Sequence, residues 1–121
     1  MPWDLDSDRP IFVQLVEQMM DDIFVGKYAP GSQFPSVREL AMDASVNPNT
    51  MQKALQELER TGLVYSKRTS GRFITEDVSL IENLKHERAE KKIDSFIADM
   101  KNIGISTNEI IEILTMKGEQ K

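Results

Sequence analysis

Apolar positions in the first sixty residues recur at spacings of three and four, the period of a helix with one buried face. In "PIFVQLVEQMMDDIFVGKYAPG", Phe12, Leu15, Met19 and Ile23 lie near one face, and Ile11, Val16 and Met20 widen it. Pro10 suits the first helical position, while Gly26 and Pro30 supply the stop. The following "SQFPS" leaves room only for a brief extended segment. Ser36, with Glu39 three positions on, makes a capping box that opens a second helix, "SVRELAMDA", whose buried side is Val37, Leu40 and Ala41. In the turn "SVNP", Asn47 can cap and Pro48 can start a third helix. That helix, "NPNTMQKALQELERTG", repeats apolar residues at Met51, Ala54, Leu55 and Leu58, shows Asn49, Thr50, Gln52, Lys53 and Gln56 on its other face, and ends at Gly62.

The period then changes. "LVYSKRTSGRFIT" predicts a β-hairpin with strand Leu63–Ser66, tip Lys67–Gly71 and strand Arg72–Thr75. Two short helices joined by a tight turn, with a hairpin after the second, predict a winged helix-turn-helix. Beyond Glu76 a long helix is expected, carrying Val78, Ile81 and Leu84, a polar stretch with only Ala89, and then Ile93, Phe96, Ile97 and Met100 before Gly104. A shorter helix follows with its own capping box, Ser106 and Glu109, and a dense apolar side of Ile110, Ile111, Ile113 and Leu114. The expected fold is mainly α with a small β-hairpin: a winged helix-turn-helix domain over 1–76 and a two-helix dimerisation tail over 77–121.

Such a tail cannot bury its stripe alone. The polar middle from Lys85 to Lys92 points to a helix that leaves the first domain before its apolar end finds a partner. A two-fold homodimer is therefore expected, with Ile93, Phe96, Ile97, Met100, Ile110, Ile111 and Leu114 at the interface. The other use of the Phe96/Ile97/Met100 cluster is to cradle a small ligand; no effector can be named from the residues.

Composition removes several function classes. The chain of 121 residues is 40% hydrophobic and 29% charged, enough for one small folded domain plus an appendage. It has no cysteine, hence no disulfide framework and no thiolate nucleophile or metal ligand. "MPWDLDSDRP" is acidic and lacks an apolar h-region, no apolar run nears the roughly 20 residues of a membrane span, and the expected address is the cytoplasm. The single histidine, His86, sits in the polar run "LKHERAEKK", and Asp4/Asp6 and Asp21/Asp22 are acidic pairs without a predicted pocket. The glycines are isolated turn and cap residues, so no phosphate loop is present. No catalytic residues, metal site or cofactor are expected.

Charge is unevenly distributed. The net charge is −5, yet from Lys53 to Arg72 the five cations Lys53, Arg60, Lys67, Arg68 and Arg72 face only Glu57 and Glu59, leaving +3 there and −8 elsewhere. A basic hairpin beside a recognition helix can lie on the phosphate backbone while the helix fills the major groove, which makes double-stranded DNA the expected partner. Lys67, Arg68 and Arg72 are the phosphate candidates, with Ser70 and Gly71 allowing close backbone approach. Asn49, Thr50 and Gln52 fall in the first turns of the third helix, where side chains reach base edges: Asn and Gln can pair with adenine, and the Thr methyl can meet thymine. Arg38, Asn47 and Lys53 complete the candidate contact set, whereas Gln56 reads as an ordinary polar face residue. The reading from another class is a winged helix used as a protein-interaction module, with the basic wing docking on an acidic partner.

At these residues the chain resembles the DNA-binding domain of the GntR transcription-factor family. The PG…PSVRELA block, the NPNTMQKALQELE helix and the GLV…GRF wing carry the resemblance, over roughly residues 10–75. The short two-helix tail is similar to that of the YtrA subfamily. The resemblance implies a bacterial repressor that binds an inverted-repeat operator as a homodimer, with DNA contacts at Arg38, the early recognition-helix residues and the wing-tip glycine. Many relatives carry arginines where this chain has Pro48 and Gln52, so their base preference does not transfer.

Overall fold

A computed structural model describes residues 3–119. The elements run α1 (Ile11–Phe24), α2 (Val37–Ala44), α3 (Pro48–Arg60), β1 (Val64–Lys67), β2 (Gly71–Ile74), α4 (Val78–Asn102) and α5 (Thr107–Glu119). This is the mainly helical, single-hairpin architecture that the sequence predicts.

Local chemistry sets the boundaries. Ser36 and Glu39 form the full reciprocal capping box, with the Glu39 amide donating to Ser36 Oγ at 3.1 Å and the Ser36 amide donating to Glu39 Oε1 at 3.2 Å. The Asn47 side-chain oxygen accepts from the Asn49 amide at 2.7 Å, and Pro48 occupies the first turn of α3, where its missing N–H costs nothing. Ser106 and Glu109 cap α5 in the same manner as Ser36 and Glu39. Pro10 sits one position earlier than expected, as the residue before α1 rather than its first. The segment leading into α1 is pinned by Gln14, which is buried on the apolar side: its amide accepts from the Asp6 N–H at 2.6 Å and donates to the Asp6 and Arg9 carbonyls at 2.7 and 3.0 Å. A buried amide is tolerated there because all of its polar atoms are used.

The core joins three helices to the hairpin. Leu15, Met19 and Ile23 of α1, Leu40, Ala41 and Ala44 of α2, and Met51, Ala54, Leu55 and Leu58 of α3 close on Phe34, Leu63, Val64 and Ile74. Met51, Ala54, Leu55 and Leu58 are fully buried, which makes α3 the central element of this cluster. Each such Leu or Met side chain contributes about 1.5–3 kcal/mol through removal from water. α3 is thereby held rigidly by one face while its opposite face stays available.

The two strands of the hairpin each lie one residue nearer the tip than expected. Its register pairs Val64 with Ile74, Tyr65 with Phe73, Ser66 with Arg72 and Lys67 with Gly71, leaving Arg68, Thr69 and Ser70 as a three-residue tip. Lys67 and Gly71 therefore belong to the strands. The "SQFPS" stretch does more than extend: it pairs with β2 through the Phe34 N–H to the Arg72 carbonyl and the Ile74 N–H to the Ser32 carbonyl, both 2.8 Å. Gly62, at φ +87°, makes the sharp exit from α3, and an added Cβ there would meet Leu80 Cδ2 at 3.0 Å.

The chain forms two compact units, one ending at Lys85 and the other starting at His86. The division falls inside α4 rather than at 76/77, because Ile81 is buried in the core cluster and Leu84 packs against it. In the second unit Ile110 is buried, Ile97 and Met100 are half-buried, and Ile93, Phe96, Ile111 and Leu114 are exposed. No described helix is long and apolar enough to cross a membrane.

Candidate nucleic-acid interface

The first turn of α3 presents the residues expected to read bases. Asn49 is exposed, and Thr50 and Gln52 are half-buried beside it. Asn47 is exposed too, and its side-chain oxygen accepts the cap hydrogen bond, which leaves its side-chain N–H groups without a partner in the cap. Arg38, on α2, is exposed and makes no ion pair among the described residues. Lys53 leans towards α1, with Nζ 5.7 Å from the Phe12 ring centroid.

The wing separates into two faces by the period-two rule of a strand. Tyr65, Lys67 and Phe73 share one face: Tyr65 and Phe73 stack at 6.1 Å, and Lys67 Nζ lies 4.8 Å from the Phe73 centroid. The tip itself carries Arg68, exposed, between strands. Ser66 and Arg72 share the other face with buried Val64 and Ile74, so they point towards α3.

That geometry changes the reading of Arg72. Expected as a free phosphate contact, it is instead ion-paired through Nε to Oε1 of Glu59, with only 18% of its side chain exposed. The same carboxylate oxygen accepts from Ser66 Oγ at 2.7 Å. Burial pushes the Glu59 carboxyl up, but the hydrogen bonds from Ser66 and Arg72 and the Arg72 charge outweigh it and hold the group below the usual range. Two of the three wing cations, Lys67 and Arg68, remain at the surface.

Two further residues matter that the sequence reading passed over. Gln33 Nε2 donates to the Ser70 carbonyl at 3.0 Å, steadying the tip from the segment before α2. Glu59 enters the sequence pattern only as one of two negative charges between Lys53 and Arg72. Strand alternation, applied to Ser66 and Arg72, carries the signal for Glu59; nothing in local spacing links Gln33 to a residue 37 positions away. An open groove between this segment and the hairpin is lined by Gln33, Ser36, Val37, Gly71 and Arg72. Among the described residues no group of three His, Cys, Asp or Glu side chains is arranged to hold a metal.

The chain is similar to known proteins in sequence and in fold. A family described as "Bacterial regulatory proteins, gntR family" matches residues 12–74. The HTH-type transcriptional repressor YtrA of Bacillus subtilis (strain 168) is 35% identical over 108 residues, spanning 88% of this chain and 82% of its own. A GntR family transcriptional regulator from Listeria monocytogenes superposes with a TM-score of 0.86 at 38% identity, over 93% of this chain and 98% of its own. AraR(DBD) in complex with operator ORE1 superposes with a TM-score of 0.54 at 30% identity, over 62% of this chain and 94% of its own.

Proposed function

The chain belongs to the gntR family of bacterial regulatory proteins, a family of non-enzymatic DNA-binding regulators, and on that premise we propose that it is a repressor acting in the cytoplasm, binding an inverted-repeat operator as a homodimer. The observation that carries the reading is the pairing of an exposed polar α3 N-terminus with an exposed basic wing tip on one rigid core. Asn49, Thr50 and Gln52 read base edges in the major groove, and Arg38, Lys67 and Arg68 sit on phosphates. Similarity to a repressor over most of the chain, and to a domain solved with its operator, supports the same reading.

The homodimer rests on the tail. Ile93, Phe96, Ile111 and Leu114 are 44–57% exposed in the single chain, joined by Ile103, Ile113 and Met116. A second copy related by a two-fold axis covers such a stripe with its own counterpart. Ile110, already buried, has little surface left to give a partner. Two recognition helices related by that axis read half-sites whose centres lie about 34–36 Å, or roughly 10 base pairs or a multiple, apart.

Selection of bound sequences from random duplex DNA tests the reading. Enrichment of one inverted repeat at that spacing is the expected outcome. Absence of any enriched sequence would remove the operator reading in favour of a wing that docks on an acidic protein.

A further inference from the structure

We propose that Glu59 is a positioning residue for DNA binding, holding the wing against the recognition helix through Arg72 and Ser66. The proposal rests on the DNA-binding reading above and adds a residue that cannot itself touch a phosphate.

The geometry is specific. Ser66 and Arg72 are a cross-strand pair in register, and one oxygen of Glu59 accepts from both of them. Glu59 lies in the last turn of α3, the helix whose first turn carries Asn49 and Thr50. A single rigid helix therefore presents the base-reading side chains at one end and grips the hairpin at the other. The grip falls just below the tip, one position before Lys67 on β1 and one after Gly71 on β2. Arg72 is the most covered of the wing cations, and its Nε is spent on the carboxylate. Its part is that of an anchor, and the phosphate contacts fall to Lys67 and Arg68.

Electrostatics makes the idea testable by sign. A carboxylate on the basic face repels the DNA backbone, so replacing Glu59 with a neutral isostere should tighten binding if Glu59 is a bystander. If Glu59 positions the wing, the same change should weaken binding, because Lys67 and Arg68 lose their seats. The salt dependence separates these cases further. Each phosphate contact contributes about 0.9 to the slope of log K against log salt, so a displaced wing costs about two units of slope although neither cation is altered.

The experiment titrates a fluorescent duplex of random sequence with the full chain at several salt concentrations. It compares wild type, Glu59→Gln, Arg72→Gln, the double variant and the gentler Ser66→Ala, with circular dichroism melts alongside. Expected are binding about tenfold weaker for Glu59→Gln, a slope reduced by about two, and the same values for Arg72→Gln and the double variant. Ser66→Ala should move in the same direction by less and report the effect even if Glu59→Gln melts early. Binding by Glu59→Gln equal to or tighter than wild type, or an unchanged slope, would overturn the proposal while leaving the DNA-binding reading intact. A loss of one slope unit in Arg72→Gln alone would return Arg72 to the phosphate contacts and equally overturn it. Failure of the wild-type chain to bind any duplex at low salt would instead remove the DNA-binding reading and this inference with it.

Discussion

Ser45 closes α2 with φ at +57°, a left-handed conformation in which its N–H reaches the Ala41 and Met42 carbonyls. A residue with a Cβ pays about 1–2 kcal/mol there, whereas glycine gives back about 0.5–1 kcal/mol through its freer unfolded chain. Ser45 is exposed and its side chain has no partner that the substitution would remove. Ser45→Gly should therefore stabilise the first unit by about 0.5–1 kcal/mol, read as a melting temperature higher by a few degrees. DNA affinity should not move, since α2 and α3 keep their places. An unchanged or lower melting temperature would mean that the turn into Asn47 is already relaxed by its neighbours. At this scale the caps are readable from the sequence: Ser36/Glu39, Asn47/Pro48 and Ser106/Glu109 follow from spacing alone, because a cap is a bond between near neighbours in sequence. The left-handed Ser45 was not, since serine at that position carries no mark of the backbone it must adopt.

Among the elements, the wing shows where local pattern stops informing. The helices of the first unit were legible because a helical face repeats every three or four residues and buries what it repeats. The hairpin was legible as an element, but both strands lie one residue nearer the tip than expected, and the alternation that turns Arg72 towards α3 meets Glu59 only in the fold. The third strand-like pairing, by Ser32 to Phe34, depends on chain segments some forty residues apart and leaves no local trace. Gly71 joins these features. It sits at φ +101°, paired with Lys67, and a Cβ there would come within 3.1 Å of Gln33 Nε2. The neighbouring atom ends a flexible side chain and can yield, so the backbone angle and not the contact should set the cost of Gly71→Ala. That variant should lose about 1–2 kcal/mol of stability and weaken binding to every duplex alike. Adding Gln33→Ala should fail to restore it, and recovery in the double variant would assign the cost to the clash instead. Gln33→Ala alone should loosen the tip, seen as faster hydrogen exchange at the wing amides with little change in melting temperature.

For the whole molecule, the decisive quantity of the proposed dimer is the gain from reading two half-sites at once. One winged helix offers a handful of base contacts, each worth about 1–3 kcal/mol, too few to single out an operator among many competing sites. A dimer converts the second half-site into an intramolecular event and multiplies affinity by about 10²–10⁴ when the spacing matches. The tail has the surface for this: Phe96 is 44% exposed and Ile93 55%, on a helix of which only Ile81, far towards its start, is buried. Replacing Phe96 and Ile97 with glutamate places two charges where, in the proposed dimer, the partner's apolar stripe packs, at a cost that burial without pairing makes prohibitive. Sedimentation at micromolar concentration should then report a monomer in place of a dimer. Binding to a single half-site should match wild type, because Ile81 and Leu84 still complete the first unit and α3 and the wing are untouched. Only the preference for the paired site should fall, by that factor of about 10²–10⁴. If wild type itself sediments as a monomer and binds one half-site as tightly as the full repeat, the tail serves some purpose other than dimerisation, and the operator need not be an inverted repeat.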